Sequence, residues 1–373
     1  MMKKVIITVG VIAVAVIGVF VYLSSSGKQN IIRFGATFPL TGEVASYGIS
    51  AQKGILLRID EINQAGGIND KKVKIDFQDD KNSVKDAVNI FNAFAKIKKY
   101  PVVFGSAGST VSLALVPISL KEKVILISPI SGSSKLSSPE WKYFFRTIPS
   151  DAEQAEKLAD WVISDGVRNV AVIYTSNSWG KPLADAFSSL FAAQGGTVVF
   201  TEGTPENISD FRTIIARLNQ HEFDAIVSPT YPKEGGLLVK QLMESGVNTK
   251  LYGGDNWGAP EFLTIAGTAA EGVNFTFPSE SNSPLWDNFV KNYQAKFKEE
   301  PDIFAAYAYD ATSAIIEAIK KSGQISSEEI RAQLLLLSFE GVTGQISFRE
   351  NGDIDAEGYG KRTIRNGQAV SVE

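Results

Sequence analysis

The chain has 373 residues, of which 44% are hydrophobic and 21% charged, enough apolar mass for two ordinary cores. Its net charge is −4, and from Ile31 onward 34 basic residues face 41 acidic ones, which excludes the basic stripe that nucleic-acid binding requires. It has no cysteine, which removes a disulfide framework, a thiol nucleophile, a Cys-ligated zinc site and a lipid-modified cysteine together.

The first 30 residues read as a signal sequence or N-terminal membrane anchor. Lys3 and Lys4 precede the uncharged run Val5–Leu23, and the polar stretch Ser24–Asn30 follows without an A-x-A cleavage site. Roughly 20 apolar residues span a bilayer core, so the length suits an uncleaved transmembrane helix. By the positive-inside rule the lysines stay in the cytoplasm and Ile31 onward lies outside it.

From Ile31, strand-like runs alternate with helix-length amphipathic runs, the pattern of an α/β chain with parallel sheets. Strands are expected at Ile31–Phe38, Val73–Asp79, Val102–Phe104 and Val124–Ser128. Helices lie between them at Ser50–Ala65, Val84–Ala95 and from Val111 to Lys121, where Pro117 should kink the last. A second series follows Phe144–Pro149. It has strands at Val170–Tyr174, Val198–Phe200, Ala225–Ser228 and Leu251–Gly253, with helices at Pro182–Gln194, Phe211–Asn219 and Gly236–Ser245. Then come the strand-like Val273–Pro278, helices Trp286–Glu299, Phe304–Lys320 and Ser327–Leu336, and a tail whose Asn351–Gly352 and Asn366–Gly367 are hairpin signals. Two sheets facing each other across a cleft is the architecture this implies. In such sheets ligands bind beyond the carboxyl ends of the strands.

Those ends carry the chemistry. The first half supplies Tyr47, the turn Gly105–Thr110 with Ser109 and Thr110 at a helix start, and Ile130, Ser131 and Gly132. The second half supplies Trp179, Tyr231 and Asp255. A Ser-Thr pair taken alone does no more than cap its helix. Together the groups complement a small zwitterion. Its carboxylate would sit on the Ser109 hydroxyl, the Thr110 N–H and the positive end of the helix dipole. Its ammonium would take Asp255 and a carbonyl of the Ile130–Gly132 turn, and Tyr47, Trp179 and Tyr231 would wall its side chain. Asp79–Asp80 reads as a solvated strand end and Lys96–Lys99 as a solvated helix end. Nothing points to catalysis: His221, the only histidine, lies in a polar turn, and no G-x-S-x-G, P-loop or G-x-G-x-x-G is present. No cofactor and no metal are expected.

The segments FGATFPLTGEVASYGISAQKGILLRIDEINQAGGI and VVFGSAGSTVSLALVPISLKEKVILISP, the crossover Phe145-Arg146-Thr147, and the YTSNSWGK and LYGGDNW turns resemble the periplasmic leucine/isoleucine/valine-binding proteins. The resemblance runs from Ile31 to the C-terminus. It implies a type I periplasmic binding fold, with two Rossmann-like lobes, parallel sheets and a ligand cleft between them. It also implies a monomeric, non-enzymatic receptor outside the cytoplasm, delivering an amino acid, apolar or branched, to the membrane permease of an ABC transporter. The alternative is a sensor of the same fold that binds an amide or related metabolite. Ser109 and Thr110 fall on the family's carboxylate-binding positions, Asp255 on its ammonium partner, and Tyr47, Trp179 and Tyr231 on its aromatic positions. The family's frequent threonine after the Ser-Pro pair is replaced by Gly132, where Ser131 or Ser133 would substitute. Three chain crossings are implied near Thr147, Thr276 and Arg349. They give one lobe of residues 31–147 plus 277–349 and another of 148–276 plus 350–373.

Overall fold

A computed structural model describes residues 31–279, 283–356 and 358–372. The signal or anchor expected over residues 1–30 lies outside them. Among the described residues no helix is long and apolar enough to cross a membrane.

Two sheets organise the chain. Strands β1 (Ile31–Phe38), β2 (Lys72–Asp79), β3 (Val102–Gly105), β4 (Ile125–Ser128) and β5 (Phe144–Arg146) form a parallel sheet in the order β2-β1-β3-β4-β5. The second sheet has the order β14-β13-β10-β9-β8-β6-β7. It contains β6 (Asn169–Thr175), β7 (Thr197–Thr204), β8 (Ala225–Ser228), β9 (Lys250–Gly253), β10 (Asn274–Pro278), β13 (Tyr359–Arg365) and β14 (Gln368–Val372). Five of these run parallel, and the β13–β14 hairpin closes one edge antiparallel. Strands β11 (Ser338–Gly341) and β12 (Gly344–Ser347) make a separate small hairpin.

The continuous apolar runs of the central strands follow from burial on both faces, since successive side chains point to opposite sides. Val102 and Phe104 of β3 enter one core cluster with Ile315 and Ile319 of the helix Ile303–Ser322. Val103 enters another with Phe91 and Leu115. In the second sheet Val170 and Val172 pack on one side while Ala171 and Ile173 pack on the other.

The observed elements differ from expectation in three instructive places. The helix expected from Val111 starts at Ser109 and runs unbroken through Pro117 to Glu122. Its N-cap is Gly108, and neither the Ser109 nor the Thr110 hydroxyl caps it. Asp80 is not a solvated strand end. It is fully buried, accepting hydrogen bonds from Thr37 Oγ1 (3.0 Å) and Ser106 Oγ (2.8 Å). Finally, Thr276 lies inside β10, so the chain leaves the second sheet only after Pro278.

Candidate functional site

A cleft of about 470 Å³ lies between the two sheets, lined from nearly every strand end that faces it. Val44 and Tyr47 follow β1, Asn82 follows β2, Ala107 to Ser109 follow β3, and Ile130 and Gly132 follow β4. Asp151 follows β5, Trp179 β6, Tyr231 β8, and Asp255 and Asn256 β9. Phe304 reaches in from the start of the helix Ile303–Ser322.

Seven of the nine expected residues therefore share one opening: Tyr47, Ser109, Ile130, Gly132, Trp179, Tyr231 and Asp255. The other two do not line it. Ser131 is fully buried and its hydroxyl is spent on Ser112 Oγ (2.7 Å) and the carbonyl of Ser106 (2.9 Å). Thr110 is exposed, and its Oγ1 accepts the Ser178 N–H (3.3 Å) from the facing lobe. Ser133, the other candidate to stand in for the missing threonine, donates to the Ser178 carbonyl at 2.7 Å. Both hydroxyls thus tie the lobes together rather than face a guest.

The Ile130–Ser133 turn is held by Arg146, a buried guanidinium that ion-pairs with Asp353 (2.7 Å). Its Nη1 donates to the carbonyls of Ser131 (3.3 Å), Gly132 (2.6 Å) and Ser133 (3.0 Å). The Gly132 carbonyl also accepts the Asp151 N–H at 2.9 Å, which uses both its lone pairs. The Gly132 carbonyl is therefore committed, and among the carbonyls of the Ile130–Gly132 turn expected to meet a ligand ammonium it is not the one free to do so.

Asp151, unanticipated from sequence, supplies what that carbonyl cannot. It opens the helix Asp151–Ser164, is buried, and both its carboxylate oxygens lack a hydrogen-bond partner. It also accounts for Gly132. A Cβ at that position would collide with Asp151 Oδ1, so the acid occupies the space a larger residue would need. Asp255 faces the same cavity, and one of its oxygens accepts the Asn256 N–H at 3.0 Å. Burial raises both carboxyls. Asp255 is pushed up to about 6, and Asp151 is raised further because Asp255 stands beside it. Arg146, on the far side of the Gly132 carbonyl, offsets this only in part, so two adjacent buried acids favour a further cation.

The walls are aromatic. Trp179 and Tyr231 stack with ring centroids 5.1 Å apart, and Tyr231 is fixed by Asn177 Nδ2 donating to its hydroxyl (3.0 Å). Opposite them Tyr47 packs edge-on against Phe304 at 5.0 Å and donates from its hydroxyl to Asn256 Oδ1 at 2.6 Å across the cleft. Asp151 and Asn82 are not among the expected residues, although each follows a strand end. The rule that found Ser109 finds both when applied to β5 and β2.

Fold and site together define a receptor for a small solute, with its cleft between two sheets. The chain belongs to the periplasmic binding protein family, whose model matches residues 31–361, and it has the type I fold of that family. It is 28% identical over 346 residues to "Leu/Ile/Val-binding protein homolog 3" of Brucella melitensis biotype 1, covering 92% of this chain and 94% of that one. It is also 28% identical to the leucine-, isoleucine-, valine-, threonine- and alanine-binding protein of Pseudomonas aeruginosa, covering 89% and 90% respectively. Among solved structures it resembles the branched-chain amino acid transporter substrate-binding protein LivJ of Streptococcus pneumoniae in complex with isoleucine. That match has 30% identity, a TM-score of 0.83, and covers 92% of this chain and 100% of that one.

Proposed function

We propose that the protein binds a free α-amino acid outside the cytoplasm and delivers it to the permease of an ABC importer. The observation that carries this reading is the pair of buried carboxylates, Asp151 with both oxygens unpartnered and Asp255 beside it, opening on one cavity. An ammonium has three N–H donors to satisfy them. The ligand carboxylate would take the Ser109 hydroxyl and the first turn of the helix Ser109–Glu122, where unpaired N–H groups and the helix dipole favour an anion. The aliphatic part of the side chain would lie on Tyr47, Phe304 and the Trp179–Tyr231 stack. The isoleucine and leucine held by similar proteins support an amino acid as cargo. Residues 1–30 would export the receptor and tether it to the membrane.

The orphaned acids weigh against an uncharged amide as the natural ligand, because they would stay buried and unpaired. A thermal-shift screen tests this: free L-amino acids against their N-acetyl derivatives and against simple amides. A ligand that binds only the folded state raises the melting temperature. A rise with free amino acids and none with the N-acetyl forms is expected. Equal responses to both would overturn the ammonium assignment.

A further inference from the structure

The strand ends that face away from the cleft form a pole on each lobe, and the two poles carry opposite charge. In the first lobe the turns leading into β2, β3, β4 and β5 hold Lys71, Lys99, Lys123 and Lys142. The helical segments that end beside them add Lys98 and Lys121 in their last turns. These turns sit side by side: the Ile125 N–H donates to the Pro101 carbonyl (3.0 Å) and the Leu126 N–H to that of Tyr143 (2.9 Å). The acids of this pole are fewer and largely offset. Glu122 pairs with Lys96 (3.5 Å), and Glu328 of the helix Ser327–Leu334 pairs with Lys123 (3.2 Å). Glu329 of that helix is matched by Arg331, which donates to the Lys142 carbonyl at 2.6 Å. Asp70 and Glu140 remain. Lys98, Lys99, Lys121 and Lys142 are exposed and make no ion pair among the described residues.

The second lobe shows that helix ends alone do not call for these lysines. Its turns before β6, β8 and β10 hold Asp165, Glu222, Asp224 and Glu271 against Arg168. The helices Asp151–Ser164, Gly180–Ala193 and Pro232–Glu244 end at this pole with no basic residue in the last turn. The helix Arg212–Leu218 ends with Arg217, which is paired with Glu202 at 2.7 Å. The negative end of a helix dipole is present at both poles, yet only one pole is basic.

The chain enters at the basic pole. Ile31 opens β1, which lies between β2 and β3 and pairs there with Lys72. We propose that this pole of the first lobe lies against a membrane surface bearing anionic lipid headgroups. This rests on the reading of residues 1–30 as a tether and goes beyond it by saying which face the tether presents. Eight peptide steps separate Leu23 from Ile31, so the pole stands at most about 28 Å from the bilayer. Ile97, among the lysines, is 77% exposed and gives the face an apolar tip. Each lysine brought to an anionic surface strengthens the attraction about fivefold.

The chain has no cysteine, so an introduced one reports a single place. The test places a fluorophore at Ile97→Cys or, on the second lobe, at Met243→Cys, which is 58% exposed. The full-length protein is reconstituted in phosphatidylcholine vesicles carrying a headgroup quencher, with or without about one third phosphatidylglycerol. The Ile97 label should be quenched in the anionic vesicles and bright in the neutral ones, while the Met243 label stays bright in both. About 1 M salt, where the screening length is about 3 Å, should release the Ile97 label. Lys98→Glu with Lys99→Glu and Lys121→Glu should release it too, with amino-acid titration unchanged. Arginine at the same three positions should keep it quenched. Quenching at Ile97 that is equal in neutral vesicles, that survives the charge reversal, or that is matched at Met243 would overturn the inference. Flotation with neutral vesicles in high salt reads the tether by itself. A chain that does not float overturns the tether reading and this inference with it. A chain that floats with its Ile97 label bright in anionic vesicles overturns this inference alone.

Discussion

Replacing Asp255 by asparagine should move stability and affinity in opposite directions. Burial holds this carboxyl at about 6 against an ordinary value of 3.8. Each pKa unit corresponds to about 1.4 kcal/mol, so keeping the group ionised at pH 7.5 costs the ligand-free fold about 3 kcal/mol. The sign follows from proton binding. The folded state holds its proton to higher pH than the unfolded state, so stability falls as pH rises from about 4 to about 6 and stays reduced above. Asp255→Asn removes that cost and should raise the unfolding free energy at pH 7.5 by about 1–3 kcal/mol, with little change below pH 4. The same substitution deprives the bound ammonium of one charged partner. Asp151 remains, so the affinity loss sits at the low end for a broken buried pair, about 3 kcal/mol or roughly 100-fold. Urea unfolding at the two pH values reads the first effect and calorimetric titration with an amino acid the second. A variant that is less stable at pH 7.5 and binds as tightly as the parent would refute the reasoning.

Affinity should also fall as pH drops below about 6, because protonation of Asp255 removes charge that an ammonium needs; titrations at pH 5 and 7.5 check this. Arg146→Met should destabilise the protein by about 3–5 kcal/mol, read by denaturant midpoint, because it leaves Asp353 buried without its cation and releases three carbonyls of the Ile130–Ser133 turn. Gly132→Ala should leave Arg146 in place yet weaken binding about tenfold or more, since the new Cβ must push the Asp151 carboxylate aside; titration beside an unfolding curve separates the two effects.

The alternation of strands and helices was legible in the sequence because strands buried on both faces must be apolar throughout, as Val102–Phe104 and Val170–Ile173 are. The hairpin at Asn366–Gly367 was legible because both residues adopt the positive φ (53° and 71°) that such a turn demands. Tertiary partners were not legible. Nothing local tells that the hydroxyl of Ser131 would be consumed by Ser112, or that Thr110 would bond the facing lobe. Asp80 looks like any acid at a strand end until Thr37 and Ser106 are seen to enclose it. Gly132 looked like a lost hydroxyl. Only the packing of Asp151 against it shows that the position was given up to a carboxylate.

A crystal structure of the protein with its tightest-binding amino acid tests the central claim most directly. The account predicts the ammonium nitrogen within about 3.2 Å of carboxylate oxygens from both Asp151 and Asp255, and the ligand carboxylate on Ser109. An amino acid bound with its ammonium turned away from both acids, or seated outside the cleft between the sheets, would contradict it.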